Sequence, residues 1–116
     1  LLSSSEGKQL LKTHLVRERD PKLVAEKKRQ TVRENGCLRC ETCGFVFSEF
    51  YGSLGDGVIE CHHTKPLSAL VGESETKLGD LALVCANCHR MLHRGPTLLT
   101  IQQLREVILV LVQHKS

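Results

Sequence analysis

Two Cys-x-x-Cys pairs, Cys40/Cys43 and Cys85/Cys88, constrain this chain of 116 residues more than any other feature. Thiolates at that spacing make half of a tetrahedral metal site, and a second pair closes it. Residues 44–84 lie between the pairs, so one shared ion would pin two distant stretches of chain together. The closed four-cysteine set is expected to hold a structural zinc with no coordination position left open. Disulfides and a redox Cys-x-x-Cys are the competing readings. Without a secretory signal, the pairs read better as thiolates in a reducing cytoplasm. Cys37 and Cys61 are then expected to be free core thiols.

The second pair runs straight on into His89-Arg90-Met91-Leu92-His93-Arg94. Histidines four apart on a helix share one face and can hold a metal between them. Cys88 and His89 are neighbours, which a helix aims about 100° apart, so a single helix could serve two sites. Once the cysteines are satisfied, His62, His63, His89 and His93 are left over, four of six histidines in two short stretches. A hydrophobic core has no need of them. His14 and His114 lie outside this clustering and are expected to be ordinary surface residues.

Length bounds the rest of the reading to one domain, large enough for a small core and short enough to benefit from a metal staple. Three phenylalanines, one tyrosine and no tryptophan make the aromatic contribution to that core thin. No apolar run approaches the roughly 20 residues of a membrane span, and Leu-Leu-Ser-Ser-Ser is too short for a signal peptide. The chain lacks an initiator methionine, and its start is expected to be a truncation point or tag remnant. Net charge is +3, unevenly spread: residues 1–36 hold nine Lys/Arg against five acids, residues 37–116 seven against eight. Attraction to a polyanion should therefore come mostly from the N-terminal segment, unless those charges only solvate a helix face.

Along the chain, Glu6 to Glu18 reads as a helix with Leu10, Leu11 and Leu15 on one side. Asp20-Pro21 starts a second, basic helix that should stop at Asn35-Gly36. Phe45 to Phe47 add apolar bulk beside the first cysteine pair, Phe50-Tyr51-Gly52 to Gly57 reads as a glycine-rich turn region, and Tyr51, following a phenylalanine, reads as core packing. Val58 to Cys61 is a strand candidate running into His62-His63, with Pro66 ending any pairing. Ser68 to Gly79 reads as a polar loop and Leu81 to Val84 as the second strand. Gly95-Pro96 breaks the metal-bearing helix. Thr100 with Gln103 forms a capping box opening a last helix over 101–114, whose Ile101, Leu104, Ile108, Leu111 and Val112 should bury.

These residues resemble a known family. His62-His63-Thr64-Lys65-Pro66-Leu67, then Asp80-Leu81, then Cys85-x-x-Cys88-His89-x-x-x-His93, are similar in type, order and spacing to the HNH endonuclease motif on a ββα-metal fold. Cys40-x-x-Cys43-Gly44, Tyr51-Gly52 and Asn87-Cys88-His89-Arg90 resemble its zinc-stabilised branch, which includes modified-cytosine restriction enzymes. The resemblance implies an α+β fold, a ββα-metal core with a structural four-cysteine zinc knuckle, flanked by N-terminal helices and a C-terminal helix. The resemblance covers about residues 37–94, and the chain is expected to divide into a basic helical segment, 1–36, and a nuclease domain with its C-terminal helix, 37–116.

It also implies roles. His63 is the general base that takes a proton from the attacking water, and neutral imidazole with a reference pKa of ~6.5 suits that work. Asp80 stands where the family has asparagine, and its carboxylate can accept the bond that fixes the base's tautomer. His62, His89 and His93 hold the catalytic divalent metal, with His89 also counted among the catalytic residues. Three imidazoles make a softer site than magnesium favours, so manganese, nickel, cobalt or zinc should fit better than Mg²⁺. Arg94 is expected on a phosphate, with Arg90 covering a helix surface and Tyr51 and Lys65 as further backbone contacts. One geometric demand follows: neighbours on a regular strand face opposite ways, so the strand must end or twist at His62-His63.

The leading expectation is therefore a cytoplasmic, metal-dependent endonuclease that hydrolyses DNA, of nicking or restriction type. It would form a homodimer if it cuts both strands. A zinc-stabilised nucleic-acid-binding module without catalysis is the alternative. A toxin, or a domain tethered to a larger protein, is a third.

Overall fold

The computed structural model describes residues 20–65 and 77–115. The expected helix over Glu6–Glu18, His14, Pro66 and most of the Ser68–Gly79 loop lie outside them. Helix α1 spans Pro21–Asn35. Asp20 Oδ1 accepts from the backbone N–H groups of Lys22 (3.0 Å) and Leu23 (3.3 Å), and proline occupies the first turn. Gly36 closes the helix in the left-handed conformation (φ 83°), its N–H donating to Val32 O, so both ends lie where the residue types require.

A two-stranded antiparallel sheet carries the centre. β1 (Glu60–His63) pairs with β2 (Leu81–Val84) in the register Glu60↔Val84, Cys61↔Leu83, His62↔Ala82 and His63↔Leu81. All four β2 residues are buried, which explains why this strand reads as a continuous apolar run rather than an alternating one. On one side Ile59, Cys61, Leu81 and Leu83 form a cluster, covered by Leu23 and Val24 of α1 together with Leu38 and Leu78. On the other, Val84, Cys40, Cys85, Cys88, Leu92 and Leu104 pack with Phe45, Phe47, Ile101 and Ile108. β1 begins two residues later than the apolar pattern at Val58 suggests.

Between the first cysteines and the sheet, Phe47–Tyr51 forms a short helix, α2, followed by a 3₁₀ turn over Gly52–Gly55. Gly55 tolerates no side chain: a Cβ there would lie 2.4 Å from Phe47 O. Phe50 and Tyr51 are exposed, 70% and 51%, so they are not core residues. After β2, α3 (Ala86–Leu92) is capped at its start by Cys85, whose Sγ accepts from Cys88 N–H. α4 (Ile101–Lys115) opens on the expected reciprocal cap, Gln103 N–H to Thr100 Oγ1 at 3.0 Å and Thr100 N–H to Gln103 Oε1 at 2.8 Å. Leu104 is buried and Ile101 and Ile108 pack on the core, but Leu111 and Val112 are exposed, because the helix runs beyond the cluster it packs on. No helix of the described residues is long and apolar enough to cross a membrane.

Candidate metal centres and their cleft

Gly44, at φ 83°, turns the chain after Cys43 so that Gly44 N–H donates to Cys40 O and Cys40 N–H to Phe45 O, both at 2.9 Å. That tight turn presents the first thiol pair. Glu41 ties the turn to the sheet: its N–H donates to Leu83 O (2.9 Å), and its Oε2 accepts from Leu83 N–H (2.7 Å). Arg105 of α4 donates from Nε to Glu41 O at 2.6 Å. The turn is thereby fixed against β2, and β2 feeds directly into the second pair at the start of α3.

The four sulfurs of Cys40, Cys43, Cys85 and Cys88 lie within 4.8 Å of one another. Cys43 Sγ and Cys85 Sγ are 3.7 Å apart, close to the ~3.8 Å edge of a tetrahedron with metal–sulfur bonds of ~2.3 Å. All six cysteines are free of disulfides. Burial alone would push the Cys40 thiol up, but Thr42 Oγ1 at 3.1 Å and the backbone at Cys43, Cys85 and Thr42 outweigh it and bring the group down to about 6. Burial pushes Cys43 and Cys88 up, and the charge on Cys40 pushes both further. One thiolate here opposes the next, which is the conflict a central divalent cation removes. The donors, their spacing and their electrostatics fit zinc. Cys61 is buried, as expected of a core thiol, and Cys37 is only partly so.

A second group gathers on the other side of α3. Ligand nitrogens of His62, His89 and His93 lie within 4.8 Å of one another. Their ring centroids are 5.4 Å (His62–His89), 5.0 Å (His62–His93) and 5.0 Å (His89–His93) apart. α3 supplies His89, His93 follows one turn on at the helix C-cap, and β1 supplies His62. Glu60, absent from the sequence-based set, completes the arrangement: its Oε1 accepts from His89 Nδ1 at 2.8 Å. That bond occupies one ring nitrogen of His89 and leaves Nε2 as the nitrogen available to an ion, the usual carboxylate–histidine–metal support. The signal was available, since Glu60 lies two residues before His62 and strand alternation puts both on one face.

His63 is placed differently. The register runs on through both histidines, so the strand does not end before the pair. Alternation gives Glu60 and His62 one face and Cys61 and His63 the other, and His63 has no accessible surface. Thr64 donates from both N–H (2.8 Å) and Oγ1 (2.9 Å) to Asp80 O, fixing the backbone just after His63. The Asp80 carboxylate accepts from Lys77 N–H at 3.0 Å and lies 3.4 Å from Lys65 Nζ. The Lys77 bond chiefly holds Asp80 below the usual carboxylate range, with Lys65 and His63 acting the same way.

The histidine group opens on a cleft of about 650 Å³ lined by Glu60, Ala86, Asn87, His89, Arg90, His93 and Arg94. Both arginines line it, Arg90 included. The molecule is thus an α+β domain with a closed four-thiol site and an open three-imidazole site that meet at one helix. Among known protein families, the model described as HNH endonuclease matches residues 40–95, a stretch containing both cysteine pairs and the four clustered histidines. The chain carries an HNH domain over that stretch. No curated protein and no solved structure gives a significant match.

Proposed function

We propose that the protein is a metal-dependent endonuclease that hydrolyses DNA phosphodiester bonds. The observation that carries this reading is the gathering of His62, His89 and His93 into a donor set separate from the closed thiol site, beside a cleft bearing two arginines. Cys40, Cys43, Cys85 and Cys88 would hold structural zinc. The three imidazoles suit manganese, nickel, cobalt or zinc better than magnesium. A divalent ion held there supplies Lewis-acid stabilisation of the charge that builds on the phosphate and on the leaving 3′ oxygen.

The chain's own residues do the remaining work. Arg94 and Arg90 hold the substrate phosphate by charge-assisted bonds from the cleft wall. His63 accepts the proton of the attacking water, whose oxygen bonds to phosphorus as the bond to the 3′ oxygen breaks. Asp80 would act on that histidine through its charge and through its carbonyl, which holds Thr64 at the end of β1. Because His63 has no accessible surface in the free protein and alternation turns it away from His62, this role requires the end of β1 to rearrange when DNA binds. The same burial favours the second reading, a zinc-stabilised DNA-binding module without catalysis. A homodimer would serve double-strand cutting.

A plasmid-nicking assay with Mn²⁺, Mg²⁺ or EDTA separates the two. Nicking that needs the metal and is lost in His89→Ala and His63→Asn supports the enzyme. Metal-independent nicking, or nicking that survives both changes, overturns it. DNA binding with no nicking under any metal establishes the binding module.

A further inference from the structure

Every aromatic residue of the chain sits in one place. The three phenylalanines and the single tyrosine fall within residues 45–51, and none of the four is buried. Their rings touch one another: Phe45–Phe47 at 4.9 Å between centroids, Phe45–Phe50 at 5.6 Å, Phe50–Tyr51 at 4.8 Å. A chain this poor in aromatic residues would gain most by burying them. Here Phe45 and Phe47 only half-cover the core beside the thiols, and Phe50 and Tyr51 lie on the surface.

These rings line a hollow of about 470 Å³ together with Ala86, Asn87 and Ile108 and three of the zinc-site cysteines. Ala86 and Asn87 also line the histidine cleft. The two cavities therefore share a wall, the first turn of α3. On one side of it lie imidazoles and arginines, which suit phosphate. On the other lie flat π faces and the Asn87 amide, which suit a base: stacking accepts any base, and an amide can bond its edge.

We propose that this aromatic hollow receives an unstacked nucleobase of the strand whose phosphates lie over Arg90 and Arg94. The substrate this favours is single-stranded or locally unpaired DNA, since a base held within a duplex offers no free face. The continuity of hollow and cleft argues for a nucleobase as occupant. The inference rests on the cleft being a nucleic-acid site, and it stands whether or not the bound strand is cut.

Tyr51 provides its own probe, because the chain has no other tyrosine and no tryptophan. Titrating the zinc-loaded protein with a short single-stranded oligonucleotide, without added divalent ion, should quench tyrosine emission after correction for absorption by the DNA. A fully paired duplex of the same sequence should quench far less. Phe50→Ala and Phe50→Leu should each weaken single-strand affinity about tenfold, while Phe50→Tyr, which keeps the π face, should retain it. Phe50 is exposed, so zinc content and melting should be unchanged, and measuring both guards the reading.

Equal quenching by an abasic oligomer of the same length, equal affinity in Phe50→Leu and wild type, or no binding of the single strand at low salt would each overturn the proposal. Plasmid nicking with unchanged Phe50→Leu affinity sinks the base site alone. Base-dependent binding without nicking sinks the nuclease alone.

Discussion

Cys88 and His89 are neighbours in α3 and belong to two sites with opposite designs. The thiol site is closed: four donors face one another, three of them buried, and their backbone is tied to β2 and α4 through Glu41 and Arg105. The imidazole site is open: three donors, two of them only half-buried, with Glu60 behind one and a cleft in front. Metal sites divide along this line, with closed shells serving structure and open positions serving chemistry. Damage to the first should therefore appear as lost fold, and damage to the second as lost reaction with the fold intact.

The largest effect expected is from Cys88→Ser, or from stripping the metal of the thiol site, zinc on the proposed reading, with a strong chelator. Structural zinc contributes roughly 10–16 kcal/mol in small metal domains, as much as or more than the ~5–15 kcal/mol by which whole domains are stable. Circular dichroism should show loss of helix and no cooperative melt, and metal analysis no bound zinc. A cooperative melt in the zinc-free protein would erase the contrast between the two sites.

His89→Ala should instead keep zinc content and melting near wild type while plasmid nicking falls at least ~100-fold. His63→Asn is expected to cost ~10²–10⁴-fold in nicking without changing metal affinity at the imidazole site, because a base and a ligand fail differently. A changed metal affinity would make His63 part of the donor set. Glu60→Gln should weaken metal binding at the imidazole site ~10–100-fold, read from the metal dependence of nicking or from Mn²⁺ titration, with zinc retained.

The smallest effect concerns Asp80. Its pKa is lowered on folding, so its contribution to stability is present above the unfolded value and disappears as pH falls through the folded one. Asp80→Asn keeps an acceptor for Lys77 N–H and loses the Lys65 ion pair. The variant should be less stable than wild type by under about 1 kcal/mol at neutral pH, and the two melting curves should converge in acid. Convergence at high pH instead would reverse the assignment.

The thiol site was legible in the sequence because its determinants are local: each pair sits in a tight turn or a helix start, and only their meeting is long-range. The ends of α1 and α4 were legible for the same reason, through Asp20, Gly36, Thr100 and Gln103. Glu60 was missed because an acid on a short strand reads as solvent-facing until the helix opposite is known. Tyr51 after Phe50 reads as core packing but lies on the surface, because ring chemistry says nothing of where the neighbouring elements stop. Leu111 and Val112 follow helical spacing, but spacing defines a face and not how far its partner extends. His62 and His63 show the same limit: alternation assigns them to different faces, and only the paired register says which one α3 meets.

The first turn of α3 has one more consequence. Cys85 and Cys88 fix where that turn begins, and His89 and His93 inherit their aim from it. On the proposed reading, a chain whose thiols hold no metal would also misdirect the imidazoles, so the second site depends on the first.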